Sequence, residues 1–134
     1  MYSKKKMRAT GITVAGLCVA GLAVAGGMAI AAPAATSSQA PHVQAGALIN
    51  ADGTVVHSKG VKAVTVAAPH VYCVEIGNED VDLSRAIVEA TPRDIAGSTI
   101  RAVAGGCANG KGVMVGTYDA AGHGKPNAFY LAVL

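Results

Sequence analysis

From about residue 43 onward, apolar residues recur with a period of two, and no stretch carries a convincing helical period. In "PHVYCVEIG", residues 69 to 77, Tyr72, Val74 and Ile76 fall on one face and Val71, Cys73 and Glu75 on the other. A strand so patterned buries one face, so the chain has to stack sheets rather than bundle helices. The Tyr72 face is the expected core face. "GVKAVTVAA" alternates in the same way, with Val61, Ala63, Thr65 and Ala67 on one side and Lys62, Val64 and Val66 on the other. Pro69 ends that strand, because proline cannot donate to a ladder.

Turn residues punctuate the alternation. Asp52-Gly53 between apolar runs signals a hairpin, since both residues accept the positive φ of a tight turn. Asn109-Gly110 is a second such signal, "NEDVDLS" a third turn and "DAAGHGKPN" the last loop. Between them, "RAIVEATP", "STIRAVA", "GVMVGTY" and "AFYLAV" read as strands. "VDLSRAIVEA" could also start a helix at Ser84, but the β-branched pair Ile87-Val88 and the closing Ala-Thr-Pro favour a strand stopped by Pro92. The expected fold is all-β, a small antiparallel β-sandwich or barrel of about seven to eight short strands.

The first 31 residues belong to a different kind of segment. "MYSKKKMR" is basic, Gly11 to Ile30 carries no charge, and Ala29-Ile30-Ala31 supplies the small residues of a processing site. That order is a secretory signal peptide, with cleavage expected after Ala31. Cutting after Ala32 or Ala40 would leave a proline first. Retention as a membrane anchor is the alternative, as about 20 apolar residues can span a bilayer, but a run of mostly Ala and Gly is weakly apolar for that purpose. Cys18 follows Leu17 rather than a small residue, so it makes a poor lipid-attachment site and is expected to leave with the signal.

Removal of 1–31 changes the charge argument. Lys4, Lys5, Lys6 and Arg8 take four of the eleven positive charges, leaving seven against eight acids, so the mature chain is near minus one. It has no electrostatic footprint for nucleic acid or acidic lipid. Residues 32–42, "APAATSSQAPH", lack the apolar content to offset ordering entropy and read as a flexible leader. One small domain remains, 43–134.

The ordered set Gly60-Val61, Val71-Tyr72-Cys73-Val74, Val81-Asp82, Ala90-Thr91-Pro92, Cys107, Val115-Gly116-Thr117, Asn127, Phe129 and Tyr130 resembles a small β module. Similar modules occur in uncharacterised secreted and cell-surface proteins of actinobacteria. The resemblance spans most of 47–134 and rests on the order of its motifs. It implies no defined activity, but it does imply that Cys73, after the aromatic residue of its strand, pairs with Cys107, before the V-x-T strand. Related modules at the ends of fibre-like proteins suggest self-association by analogy only.

The same pairing follows independently from counting. Two cysteines remain after cleavage, and an exported protein lives where disulfides persist. Closing a loop of about 35 residues is worth roughly 3.8 kcal/mol in chain entropy, before any native strain is subtracted.

Other chemistry is weaker. A nucleophilic Cys73 needs a base, and His70, three residues away on a strand, points to the opposite face. His57, His70 and His123 with a cysteine lack a recognised ligand spacing for a metal. Glu79, Asp80 and Asp82 share one turn but not the D-x-D-x-D-G pattern of a calcium loop, so they read as a solvated turn. No glycine-rich stretch joins a strand to a helix, so no phosphate cradle is expected. Of the mature aromatics, Tyr72 and Phe129 are expected in the core, and only Tyr118 and Tyr130 could form a carbohydrate platform.

No catalytic residue, metal or cofactor is expected. The function expected is that of a secreted structural or interaction module, its partner an extracellular protein or a cell-wall component. It would touch membrane only through an uncleaved signal. A self-associating (trimeric) fibre-end-like module, and a small hydrolase or inhibitor with a loop-borne site, are the alternatives.

Overall fold

The structure is a computed structural model that describes Ile30–Ala31 and residues 42–134. The expected signal peptide and leader therefore lie outside the described residues, save for Ile30–Ala31 and His42. The described residues form nine strands: β1 (Ile30–Ala31), β2 (Ala45–Ile49), β3 (Val55–Lys59), β4 (Val61–Ala68), β5 (Val71–Ile76), β6 (Val88–Pro92), β7 (Thr99–Cys107), β8 (Gly112–Tyr118) and β9 (Phe129–Val133). They make two antiparallel sheets, ordered β1-β4-β5-β8-β7 and β3-β2-β9-β6. The all-β expectation holds, and the packing is that of a sandwich.

The alternation decides what lies between the sheets. Val64, Tyr72, Val74, Ile76, Val113 and Val115 from the first sheet meet Ala45, Ala47, Ile49, Phe129, Leu131 and Val133 from the second. Tyr72 and Phe129, both 0% exposed, are the largest buried side chains, and their rings lie 5.0 Å apart at 53°. Tyr72 avoids the cost of a buried hydroxyl by donating to the Ala51 carbonyl at 2.6 Å, which ties β5 to the β2–β3 turn. Buried Thr117 donates to the Lys125 carbonyl at 2.7 Å, and buried Asn127 donates to Ser98 Oγ at 3.0 Å. These polar ties hold the loop before β9 and the loop before β7.

Between β2 and β9 the chain passes from one sheet to the other four times, at β3–β4, β5–β6, β6–β7 and β8–β9. The two shortest of these passages are tight corners. Gly60, at φ 66°, joins β3 to β4, and a Cβ there would come 3.0 Å from the Gln44 carbonyl oxygen, so the corner needs glycine twice over. The second corner runs from β6 through Arg93–Ser98 to β7. β2 and β9 pair along their whole length, Ala45 opposite Val133 and Ile49 opposite Phe129, and the Gln44 N–H donates to the Val133 carbonyl at 2.8 Å.

Two expectations need correction. Lys62 does not share a face with Val64: the pairing of β4 shifts between Val61 and Ala63, and this bulge puts Val61 in the core with Val64 while Lys62 stays exposed. "RAIVEATP" also starts too early as a strand. Ladder pairing begins at Val88, because Asp82 captures the preceding residues in a turn: its carboxylate accepts the Ser84 N–H at 3.0 Å and the Ser84 hydroxyl at 2.6 Å.

The β7–β8 turn stores strain. Ala108, Asn109 and Gly110 are consecutively left-handed, at φ 52°, 54° and 84°. Asparagine and glycine tolerate that region, but alanine is held there against about 1 kcal/mol. Ala108→Gly should raise stability by up to about 1 kcal/mol in urea unfolding, with the gain trimmed by the extra freedom of the unfolded chain.

Stability should have both an acid and an alkaline limb. The Asp52 carboxyl is lowered by hydrogen bonds from the Thr54 hydroxyl and the Thr54 N–H, and that of Asp119 by the His123 N–H. Their stabilisation is present above the ordinary aspartate value near about 4 and is lost as pH falls through the lower folded values. Burial pushes the Tyr72 phenol up. Its contribution is complete below about pH 10 and is lost as pH rises through the higher folded value. Melting temperature should therefore fall at both ends of the pH range, and Tyr72→Phe should delay the alkaline fall while costing about 1 kcal/mol at neutral pH.

Candidate functional site

Cys73 and Cys107 are bonded, with Sγ atoms 2.04 Å apart and Cα atoms 6.0 Å apart. Cys73 lies on the outer face of β5, as the alternation predicts, while Cys107 closes β7 opposite Gly112. β8 runs between these two strands, so the bond has to pass over it. The residue beneath is Gly112: a Cβ there would lie 2.7 Å from the Cys107 sulfur and 3.0 Å from that of Cys73. The shift in pairing between Ala104 and Cys107 brings the end of β7 over the sheet and makes this reach possible. The bond thus ties β5 to β7 across the intervening strand. It also removes the thiolate that any nucleophilic role would need.

Two further glycines of the same face lie under rings. Tyr118 folds back over Gly116, its hydroxyl 2.6 Å from where a Cβ would stand, and the His70 ring covers Gly124. His70 and Tyr118 meet edge to face at 5.6 Å. His70 therefore lies on the same outer face as Cys73, not the opposite one as alternation implied, because it stands in the turn before β5 begins. It packs there against a tyrosine rather than a cysteine. Sequence reasoning missed this cluster, although Gly112, Met114, Gly116 and Tyr118 share one parity and so one face.

The structure separates the remaining candidates. Tyr118 lies on the outer face of the first sheet. Tyr130, next to inward-facing Phe129, lies on the outer face of the second, so the two tyrosines cannot form one platform. His57 sits on the second sheet, His70 on the first and His123 in the last loop, and the described residues contain no group of three or more His, Cys, Asp or Glu able to hold a metal. Glu79, Asp80 and Asp82 do sit in a solvated turn, shaped in part by the Asn78 side chain accepting the Asp80 N–H at 3.0 Å.

Two surface features remain. A shallow polar cavity of about 520 Å³ lies beyond the disulfide, with Lys62, Glu75, Asn78, Glu79, Asp82 and Lys111 in its lining. Lys62 and Glu75 are already paired there at 2.8 Å, which raises the Lys62 ammonium through its hydrogen bond to Glu75. Of the charged residues in this lining, two are basic and three acidic, so the cavity carries no concentrated charge of either sign. The second feature is the outer face of the β3-β2-β9-β6 sheet, where His57, Leu48, Tyr130 and Thr91 stand in one register row. Leu48 is only 7% exposed within that row although it lies outside the core, whereas Tyr130 is 46% exposed. His57 Nδ1 is buried there without a hydrogen-bond partner among the described residues. Beside this row, the bulge opposite Leu48 and Ile49 turns Val56 outward, 40% exposed.

The disulfide can be weighed by mutation. Cys73→Ser and Cys107→Ser should each lower stability by roughly 2–4 kcal/mol, and the double variant should cost little more than either. Additive losses in denaturant unfolding would rule out the shared bond. Gly112→Ala should destabilise the oxidised protein clearly more than the reduced one.

No protein-family model matches this sequence, and no curated protein or solved structure is significantly similar to it.

Proposed function

We propose that the chain is an exported, non-catalytic interaction module that engages an extracellular protein or a cell-wall component through the outer face of the β3-β2-β9-β6 sheet. The observation that carries the reading is the Cys73–Cys107 bond, which suits an oxidising exterior. Among the described residues no helix is long and apolar enough to cross a membrane. The amino-terminal pattern of basic, apolar and small residues supplies the export route. The resemblance to secreted actinobacterial β modules belongs to this proposal and points the same way.

The surface is chosen on physical grounds. Tyr130 offers a large amphipathic ring on a rigid strand, so little entropy is lost when it is buried by a partner. The nearly buried Leu48 beside it gives the row an apolar floor, and Arg93 and Glu89 supply charge of both signs at the margin. A contact of this composition has an aromatic centre and a polar rim.

The full chain should be expressed and the protein recovered from the medium, its amino terminus and thiols read by mass spectrometry. The expected result is an amino terminus at Ala32 and no free thiol; two free thiols would overturn the Cys73–Cys107 bond that carries the reading, and absence of the protein from the medium would overturn export. The recovered protein should be retained by cell-wall fractions or captured by a culture protein. Tyr130→Ala should weaken that retention by about tenfold with an unchanged melting temperature. Equal retention by the variant would overturn the assignment of the surface.

A further inference from the structure

β1 occupies the outward edge of β4, with Ile30 opposite Thr65 and Ala31 opposite Val64. These two residues are also the last two of the expected signal peptide. Cleavage after Ala31 would therefore remove the strand that covers this edge and leave the β4 backbone groups facing it unpaired.

The other outward edges carry obstacles to a new strand. β6 ends on Pro92 and holds Glu89, β7 carries Arg101 and a pairing shift, and β3 has five residues with a bulge in its pairing. β4 has eight residues, and between its two irregular ends Ala63–Val66 is regular, β-branched in three of four positions and uncharged. Its one charge, Lys62, is held by Glu75 at 2.8 Å.

We propose that β4 is a strand-accepting edge which the precursor keeps closed with its own Ile30–Ala31, and which the mature chain closes with β4 of a second copy. The inference rests on the export reading for its trigger. β4 suits itself as a partner: antiparallel pairing about a two-fold at Thr65 sets Thr65 opposite Thr65, Val64 opposite Val66 and Ala63 opposite Ala67. Each of these is a favourable or neutral cross-strand pair. The same register leaves the two Lys62 residues about 20 Å apart, so no like charges meet. Without β1, each first sheet has four strands, and the pair would make one continuous sheet of eight. The residues of the expected leader make a poorer strand, because Pro33 and Pro41 cannot donate and Thr36 to Gln39 are polar.

Sedimentation velocity on the protein recovered after export, over a wide concentration range, tests the proposal, with hydrogen exchange at Val64 and Val66 as a second readout. The expected result is a monomer–dimer equilibrium in which these two amides become more protected as concentration rises. Thr65→Lys sets two ammonium groups opposite one another and should weaken the dimer by about tenfold. Ala67→Lys, at an exposed position, serves if the first variant unfolds. The unprocessed chain, held in detergent, should stay monomeric with these amides protected at every concentration. A strict monomer beginning at Ala32 would overturn the proposal, as would protection that ignores concentration and vanishes when residues 32–41 are deleted. If the exported protein retains residues 1–31, the cleavage reading fails on its own account, and a chain made to begin at Ala32 still decides the edge: a dimer supports it and a monomer overturns it.

Discussion

The contact between Tyr72 and Phe129 is the constraint on which the rest of the fold depends. Each ring sits on an inner strand of its sheet, and together they set the spacing at which the valines of β5 and β8 meet Ile49, Leu131 and Val133. With few aromatics and no tryptophan, the domain has no second pair of this size to fill the gap. The small core-facing residues of β2, Ala45 and Ala47, then become intelligible, because a thin sheet can approach closely wherever the aromatic pair does not hold it away. Polar groups that this closeness would strand are bonded instead: the Tyr72 hydroxyl reaches Ala51, Thr117 reaches Lys125, and Asn127 reaches Ser98.

Much of this was legible in the sequence, for a physical reason. A strand with one wet face must alternate, so Tyr72, Val74 and Ile76 could be placed inward and Cys73 outward before any coordinates. The hairpin at Asp52-Gly53 was readable because few residues accept its geometry. What alternation cannot convey is where it slips. The bulge after Val61 moves Lys62 to the wet face with no local signal, and the Asp82 turn takes Arg85 to Ile87 out of a run that looks like strand. Sheet membership was equally hidden. Tyr118 and Tyr130 read as a possible pair, yet they belong to opposite faces of the sandwich because β8 and β9 lie in different layers.

The disulfide shows how partial a correct reading can be. Counting cysteines, and the resemblance, joined Cys73 to Cys107, but neither revealed that a strand runs between them. Gly112 is the residue that reconciles the two facts. Its missing side chain is the channel through which the bond crosses β8. An ordinary-looking glycine at the start of "GVMVGTY" is therefore as necessary to the tie as the cysteines themselves. On the same face Gly116 accepts the ring of Tyr118, so the outer surface of this sheet is built from glycines roofed by larger groups.

The pairing of β2 with β9 has a mechanical meaning. Ala45 opposite Val133 puts the entry and exit of the domain side by side at one end of the ladder, so tension applied through both would open their hydrogen bonds one after another rather than all together. Such a zipper yields at low force. Residues 73 to 107, locked into a loop by the disulfide, could not be drawn out in that process, so extension would halt well short of the full contour length. The domain would give way readily at its margin and retain a cross-linked remnant, much as a shock-absorbing link does.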